Sequence, residues 1–433
     1  MSSVFQILRN IDWLHSLHSR WYWFQREWVT RFTIQLIRFW RIIILRRIRR
    51  KVKKGERVRV LFVESEMSKW KSQSLFALMK ADPHYEPLMA IYRRDKSENL
   101  SNEEVLKGIA RAVEEYKRIG NDCVIVYNPK KPETIDLRQF KPDIVFYQQS
   151  WISDGIVGVS RYALTAYIPY YVANYGDLAI DAKMDFHRFV SYYFLLNDAW
   201  VSALRSWAPW YYYSGKWLGV GHTMLDYRYL NPAPEPKKQC VIYAPHFSFI
   251  TPAHDNLTGI STFPKSGKAI LEYAKAHPSM NWVFKPHPVL WDELVVSGLM
   301  TEKERADYYD EWKRIGLVCT NGNYVELFND ATCMITDCGS FLTEFGATGK
   351  PIVHLISSAA KLQAMAPSRE LYATYYQVHN ISEMYTIFKC VLEERNDPKK
   401  EERLMAVKEA GLNGNYAAMN IMKFFGKEFQ CGL

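Results

Sequence analysis

A chain of 433 residues with 48% hydrophobic and 15% aromatic content is long enough for two or three domains, and it excludes a disordered or fibrous protein. The net charge of +10 is not evenly spread: residues 1–57 hold 14 Lys and Arg against three acids, whereas residues 58–433 hold 42 against 43. A near-neutral body argues against a nucleic-acid groove through it, and seven cysteines without a Cys-x-x-Cys pair imply neither a metal site nor a disulfide framework.

The first predicted element is an amphipathic basic helix. From Trp21 to Ile48, apolar residues recur at Trp21, Phe24, Trp28, Phe32, Leu36, Phe39 and Ile43, steps of three or four that form one stripe. Arg20, Arg26, Arg31, Arg38, Arg46 and Arg47 surround it, and Trp40 lies among them. Such a helix suits an anionic membrane surface, with Trp21, Trp28, Arg31, Arg38, Trp40, Arg46 and Arg47 as contacts. Packing on the protein's own body and an oligomer contact are the alternatives. Arg31, Arg38 and Arg41 interrupt the apolar run, so no transmembrane helix is expected, and the first residues show no secretory signal.

Short β-branched runs alternating with helical stretches begin at Val58, which indicates parallel sheets. Strands are predicted at Val58–Glu64, Leu88–Tyr92, Cys123–Tyr127 and Asp143–Gln148, with helices near 70–80 and at Asn102–Ile119. Residues 155–230, rich in Tyr and Trp, are less regular and are taken as the end of the first half and a cleft wall. Asn231 to Pro236 is a proline-rich linker. Beyond it, strands are predicted at Cys240–Ala244, Trp282–Lys285, Leu317–Thr320, Cys333–Thr336 and Ile352–Leu355, and closing helices over 382–426. The division is 1–57 as a membrane-associating segment, 58–230 as one Rossmann-like domain and 231–433 as another.

Ligands of open parallel sheets bind beyond the carboxyl ends of the strands. Three polar clusters fall at such ends: Tyr243-Ala-Pro-His246, Lys285-Pro-His-Pro288 and Thr336-Asp-Cys-Gly-Ser-Phe341. In the third, Asp337 ends a strand and Gly339 and Ser340 open a helix through Glu344, an arrangement that can cradle phosphate or serve as an ordinary helix cap. Lys285 and His287 add a cation and an imidazole suited to a diphosphate.

In order and spacing, these clusters with the downstream Glu344-Phe345 and Gly349-Lys350-Pro351 resemble the carboxy-terminal half of the CDP-glycerol:poly(glycerophosphate) glycerophosphotransferase family. The resemblance implies a GT-B fold: two Rossmann-like domains facing a cleft, with the nucleotide in the second. It implies glycerol phosphate transfer from CDP-glycerol to a lipid-linked or polymeric acceptor, and the basic segment 1–57 puts the expected location at the cytoplasmic face of a bacterial inner membrane. No cofactor or metal is implied. By the resemblance the donor-phosphate contacts are Lys285, His287, Asp337 and Ser340, with His246 beside them, and the clusters themselves add Tyr243, Pro245, Gly339, Phe341 and Glu344 as expected donor contacts. The family's first-half His-Gly-Thr-Pro motif is absent, and Pro169 to Asp177 stands at the comparable place. Asp177 and His187 are the candidate bases, beside His287 on the donor side. A GT-B glycosyltransferase using a nucleotide sugar and a catalytically inactive membrane scaffold are the alternative functions.

Overall fold

The structure is a computed structural model that describes residues 2–93, 100–131, 133–152, 155–172, 184–211, 215–230, 238–251, 254–255, 259–320, 324–358, 368–412, 414 and 416–430; of residues 2–26 it gives the backbone alone. Two parallel sheets organise it. The first comprises β1 (Val58–Glu64), β2 (Tyr85–Ile91), β3 (Cys123–Ile125), β4 (Ile144–Tyr147), β5 (Leu164–Tyr167), β6 (Tyr192–Leu195) and β7 (Trp217–Gly219) in the order 3-2-1-4-5-6-7. The second comprises β8 (Cys240–Ala244), β9 (Asn281–Phe284), β10 (Gly316–Val318), β11 (Cys333–Thr336), β12 (Ile352–Leu355) and β13 (Tyr376–Val378) in the order 10-9-8-11-12-13. Both are Rossmann orders, so each half reverses direction beside its first strand, between β1 and β4 and between β8 and β11. This is the GT-B architecture expected from the sequence.

Strands β1, β4, β8 and β11 are almost wholly apolar because helices cover both faces of each sheet. Strands β5, β6 and β7 correct the sequence expectation of an irregular stretch. They are three or four residues long and Tyr- and Trp-rich, and β5 and β6 are buried at every position, so neither alternation nor length announces them.

The basic helix α1 spans Ser2–Lys53 and carries two apolar stripes. One, with Thr30, Ile34, Ile37, Ile44, Leu45 and Ile48, is buried in the first half, which corrects the division of 1–57 as a separate segment. The other, with Trp28, Phe32, Phe39 and Ile43 and joined by Val29 and Ile42, is the stripe read from the sequence, and it is exposed. The cations divide in the same way. Asp143, which is buried, takes Lys51 at 2.5 Å and Arg47 at 3.4 Å, and Arg47 also donates to the Tyr162 carbonyl. Arg41 bonds Tyr192 and Glu428, while Trp40 packs on the body beneath Arg161. Arg47 and Trp40 thus turn from the expected lipid contacts toward the protein. Arg38, Arg46 and Arg50 stay exposed, and Arg31 pairs with Glu27 one turn away. The side chain of Trp21 lies outside the described residues. No helix among the described residues is long and apolar enough to cross a membrane.

The closing helix Ala417–Phe429 leaves the second sheet and packs on the first, a second correction to the sequence division. Its start is capped by Asp226 of the helix Thr223–Leu230. The buried carboxylate accepts from Ala417 N at 2.7 Å, Ala418 N at 2.9 Å and Ser74 Oγ at 2.8 Å. Replacing Asp226 by Ala is expected to cost about 3 kcal/mol, because it orphans two helix-start amides in a dry interface. A guanidinium midpoint shows it, against Asp310→Ala on the surface, which should change stability by less than about 0.5 kcal/mol.

Candidate functional site

The switch point of the second sheet gathers the three clusters of the sequence. Backbone bonds splice the loops together: Lys285 N donates to the Tyr243 carbonyl at 2.8 Å and His287 N to the Pro245 carbonyl at 3.0 Å. Asp337 completes the splice. One oxygen accepts from His246 N at 2.6 Å, and the other from Thr262 N at 2.6 Å and from the Ser261 and Thr262 hydroxyls at 3.1 Å. Its carboxyl is held at about 6, raised by burial and moderated by these donors.

That arrangement changes the expected roles of three residues. Asp337 is turned into the loops and braces them, and its acceptors are already occupied. Tyr243 is a core residue, fully buried with its ring 5.7 Å from Phe284 and 5.8 Å from Trp312. Pro245 is buried and contributes its carbonyl to the brace. The motif residues at these positions build the platform rather than touch what lies on it.

The platform itself presents His246, Lys285, His287, Gly339, Ser340 and Phe341. His246 Nδ1 accepts from Ser248 N at 3.1 Å, and His287 Nδ1 accepts from Val289 N at 3.2 Å. In a neutral imidazole this places the proton on Nε2, so each ring offers one N–H donor. Both rings are neutral at pH 7. Burial lowers His246 to about 3, with His287 adding to the effect, and lowers His287 to about 4, with Lys285 and Lys69 adding to it. The two rings lie 5.1 Å apart and both contact Phe247. Gly339 and Ser340 are half-buried at the start of the helix Gly339–Glu344, which no side-chain hydrogen bond caps. The ordinary cap considered from the sequence is therefore not what Asp337 provides.

Phe341 and Tyr324 form the aromatic wall, 5.2 Å apart. The Tyr324 hydroxyl donates to Glu344 at 2.7 Å, and burial lifts that carboxyl to about 7 against the pull of Lys71 and Lys285. Lys285 is buried beside this wall, 4.8 Å from the Tyr324 ring and 5.4 Å from Phe341. Burial lowers its ammonium below the usual lysine value.

The first half faces this platform with the loop after β1. Lys71 stands 4.3 Å over the same Tyr324 ring, and its backbone N–H donates to Gln148 beyond β4. Behind it, Glu64 ends β1 and accepts from Gln149 and Ser65 N, while burial lifts its carboxyl to about 8. Sequence reasoning missed Lys71 and Glu64. Neither lies in a motif, and only the sheet order brings them to the cleft.

Of the acceptor-side candidates, His187 sits in a box of Tyr167, Phe186 and Tyr193 with ring centroids 4.9–5.3 Å away, 3% exposed. It is a core side chain, which corrects its assignment as a base. Asp177 lies outside the described residues. Among the described residues no cluster of three His, Cys, Asp or Glu side chains could hold a metal ion.

No family model and no curated protein matches the chain. Solved structures share its fold. The wall teichoic acid polymerase TagF superposes with a TM-score of 0.54 at 12% identity, covering 93% of this chain and 98% of that one. UDP-GlcNAc 2-epimerase from Neisseria meningitidis, bound to UDP-GlcNAc, gives 0.51 at 14% identity over 86% of this chain and 100% of that one. MnaA from S. aureus, in a UDP co-structure, gives 0.52 at 11% identity over 87% and 98%. The likeness is one of fold, and it covers both halves.

Proposed function

We propose that the protein transfers glycerol phosphate, or a related polyol phosphate, from a CDP-activated donor to a hydroxyl of a cell-surface polymer or its lipid-linked precursor, releasing CMP. The observation that carries this reading is the platform of Lys285, two neutral Nε2–H donors and an uncapped helix start, all at one switch point. That set complements a phosphate whose charge grows as the nucleotide departs. It is supported by the fold shared with TagF, one variant of which was solved after a soak with CDPG.

The transfer is a displacement at phosphorus. The acceptor oxygen bonds to the glycerol-bearing phosphorus, the bridge to the nucleotide breaks, and CMP leaves with the electron pair. His287 and His246 serve as hydrogen-bond donors to the phosphates, since both are neutral with Nδ1 occupied. Glu344 on the aromatic wall suits a ribose hydroxyl, with Phe341 alongside. Asp177 is the acceptor-side base of this proposal.

On this reading the reaction runs at the cytoplasmic face of a bacterial inner membrane. The exposed stripe of α1 would lie in the lipid interface, with Arg38, Arg46 and Arg50 toward anionic headgroups. Charge from lysines and N–H donors takes the part that a metal plays elsewhere.

The deciding assay follows CMP release from CDP-glycerol with an acceptor lipid, in parallel with CDP-ribitol, UDP-sugars and GDP-sugars. Turnover of a CDP-polyol that persists in EDTA is expected. Turnover confined to nucleotide sugars would establish a glycosyltransferase instead, and loss in EDTA would overturn metal independence.

A further inference from the structure

Lys71 and Lys285 come from opposite walls of the cleft, yet their ammonium groups converge on one ring, at 4.3 and 4.8 Å from the centroid of Tyr324. Both are deeply buried, 6% and 5% exposed. Lys71 Nζ donates to the Ser68 carbonyl at 2.8 Å, and neither ammonium has a carboxylate within ion-pairing distance among the described residues. Each neighbouring carboxyl is engaged through one oxygen, and Glu344 is the stronger of the two in offsetting the burial of Lys71. Glu64 Oε2 accepts from Gln149 Nε2 and Ser65 N, and Glu344 Oε2 accepts from Tyr324. Burial keeps Glu64 protonated at neutral pH, so it does not neutralise Lys71.

Two buried cations beside one aromatic ring, each without an ion pair among the described residues, are costly. A bridging anion removes the cost. Lys285 belongs to the second half and can hold one phosphoryl group, leaving Lys71 to meet the next one from the first half.

We propose that Lys71 is the first half's contact to the donor's diphosphate, so that the phosphate site is complete only when the two halves close on it. This deepens the transferase reading and rests on it for naming the diphosphate as part of a donor. It makes the diphosphate, and not the nucleoside, the part of the ligand that draws the halves together. After transfer the nucleoside keeps a single phosphate, the bridge between the cations is lost, and the product is released.

Calorimetric titration of the full chain with inorganic pyrophosphate, CDP and CMP tests it. Lys71→Met and Lys71→Gln are each expected to weaken pyrophosphate and CDP by about thirtyfold and CMP by less than about fivefold, the worth of one buried charge-assisted contact. Lys71→Arg should restore most of the loss, and melting temperatures confirm that each variant is folded. Equal pyrophosphate affinity in the wild type and in either folded neutral variant would overturn the proposal. A wild type that binds pyrophosphate and UDP but not CDP sinks the cytidine donor while the pyrophosphate comparison still decides the role of Lys71. A wild type that binds neither pyrophosphate nor any nucleoside diphosphate overturns both.

Discussion

Lys285→Met is expected to lower kcat/KM for the activated donor by about 10²–10³, with most of the loss in kcat. The size follows from the site: removing one preorganised electrostatic contact to charge that develops in the transition state costs about 3–4 kcal/mol. Lys285 is preorganised because its backbone is fixed to Tyr243 and its ammonium is confined between Tyr324 and Phe341. Methionine keeps most of the stem, so the aromatic wall stays packed and the change isolates the charge. The loss falls in kcat because the leaving phosphate gains charge as its bridge breaks, and the ground-state diphosphate needs Lys285 less than the departing one does. Lys303→Met, on the surface, serves as control. A variant within fivefold of wild type would remove Lys285 from the chemistry and, with it, the platform as the donor site.

How much of this was legible in the sequence depends on whether a residue's neighbours along the chain are also its neighbours in space. Cys240–Ala244, Cys333–Thr336 and Ile352–Leu355 fall where the sequence puts them, because strands covered on both faces are continuous apolar runs. The three loops at their ends were legible for the same reason. Their division of labour was not. Tyr243, Pro245 and Asp337 belong to the motifs yet build the platform, and only the hydrogen bonds of Asp337 reveal this. Lys71 follows a short 3-10 turn with no motif around it, and its meeting with Lys285 depends on how the halves face each other. Tyr376–Val378, a strand of three residues that follows the last predicted one, is too short to announce itself.

Helix α1 shows a different limit. One stripe of its surface was read from the sequence, and the second went unread because isoleucines at Ile34, Ile37, Ile44 and Ile48 interleave with the first. A helix apolar on two faces must satisfy both. The inner face is satisfied by the first half's core and by Asp143 and Glu428, while the outer face is exposed among the described residues and is the one the proposed function gives to lipid.

The two faces give opposite outcomes for two ways of removing the helix's contribution. Deleting residues 1–54 is expected to abolish folding, not merely membrane attachment. It withdraws Ile34, Ile37, Ile44, Leu45 and Ile48 from the core, at about 1.5–3 kcal/mol each. The sum, on the order of 10 kcal/mol, rivals the whole stability of an ordinary domain. It also strips both cations from buried Asp143, leaving a carboxylate inside the fold with only the Arg59 amide. Such a truncation should be insoluble or lack a cooperative melting transition. The triple change Phe32→Ser, Phe39→Ser, Ile43→Ser touches only the outer face, whose side chains are exposed, so its melting temperature should stay near wild type. Its affinity for phosphatidylglycerol vesicles should fall by at least about a hundredfold, since each buried apolar side chain contributes more than about 1 kcal/mol to interfacial binding. Nucleotide titration should be unchanged, because the stripe lies on the opposite side of α1 from the first sheet. A folded truncation would show that the inner stripe is not core, and a triple variant that still binds vesicles would show that the outer stripe meets something other than lipid.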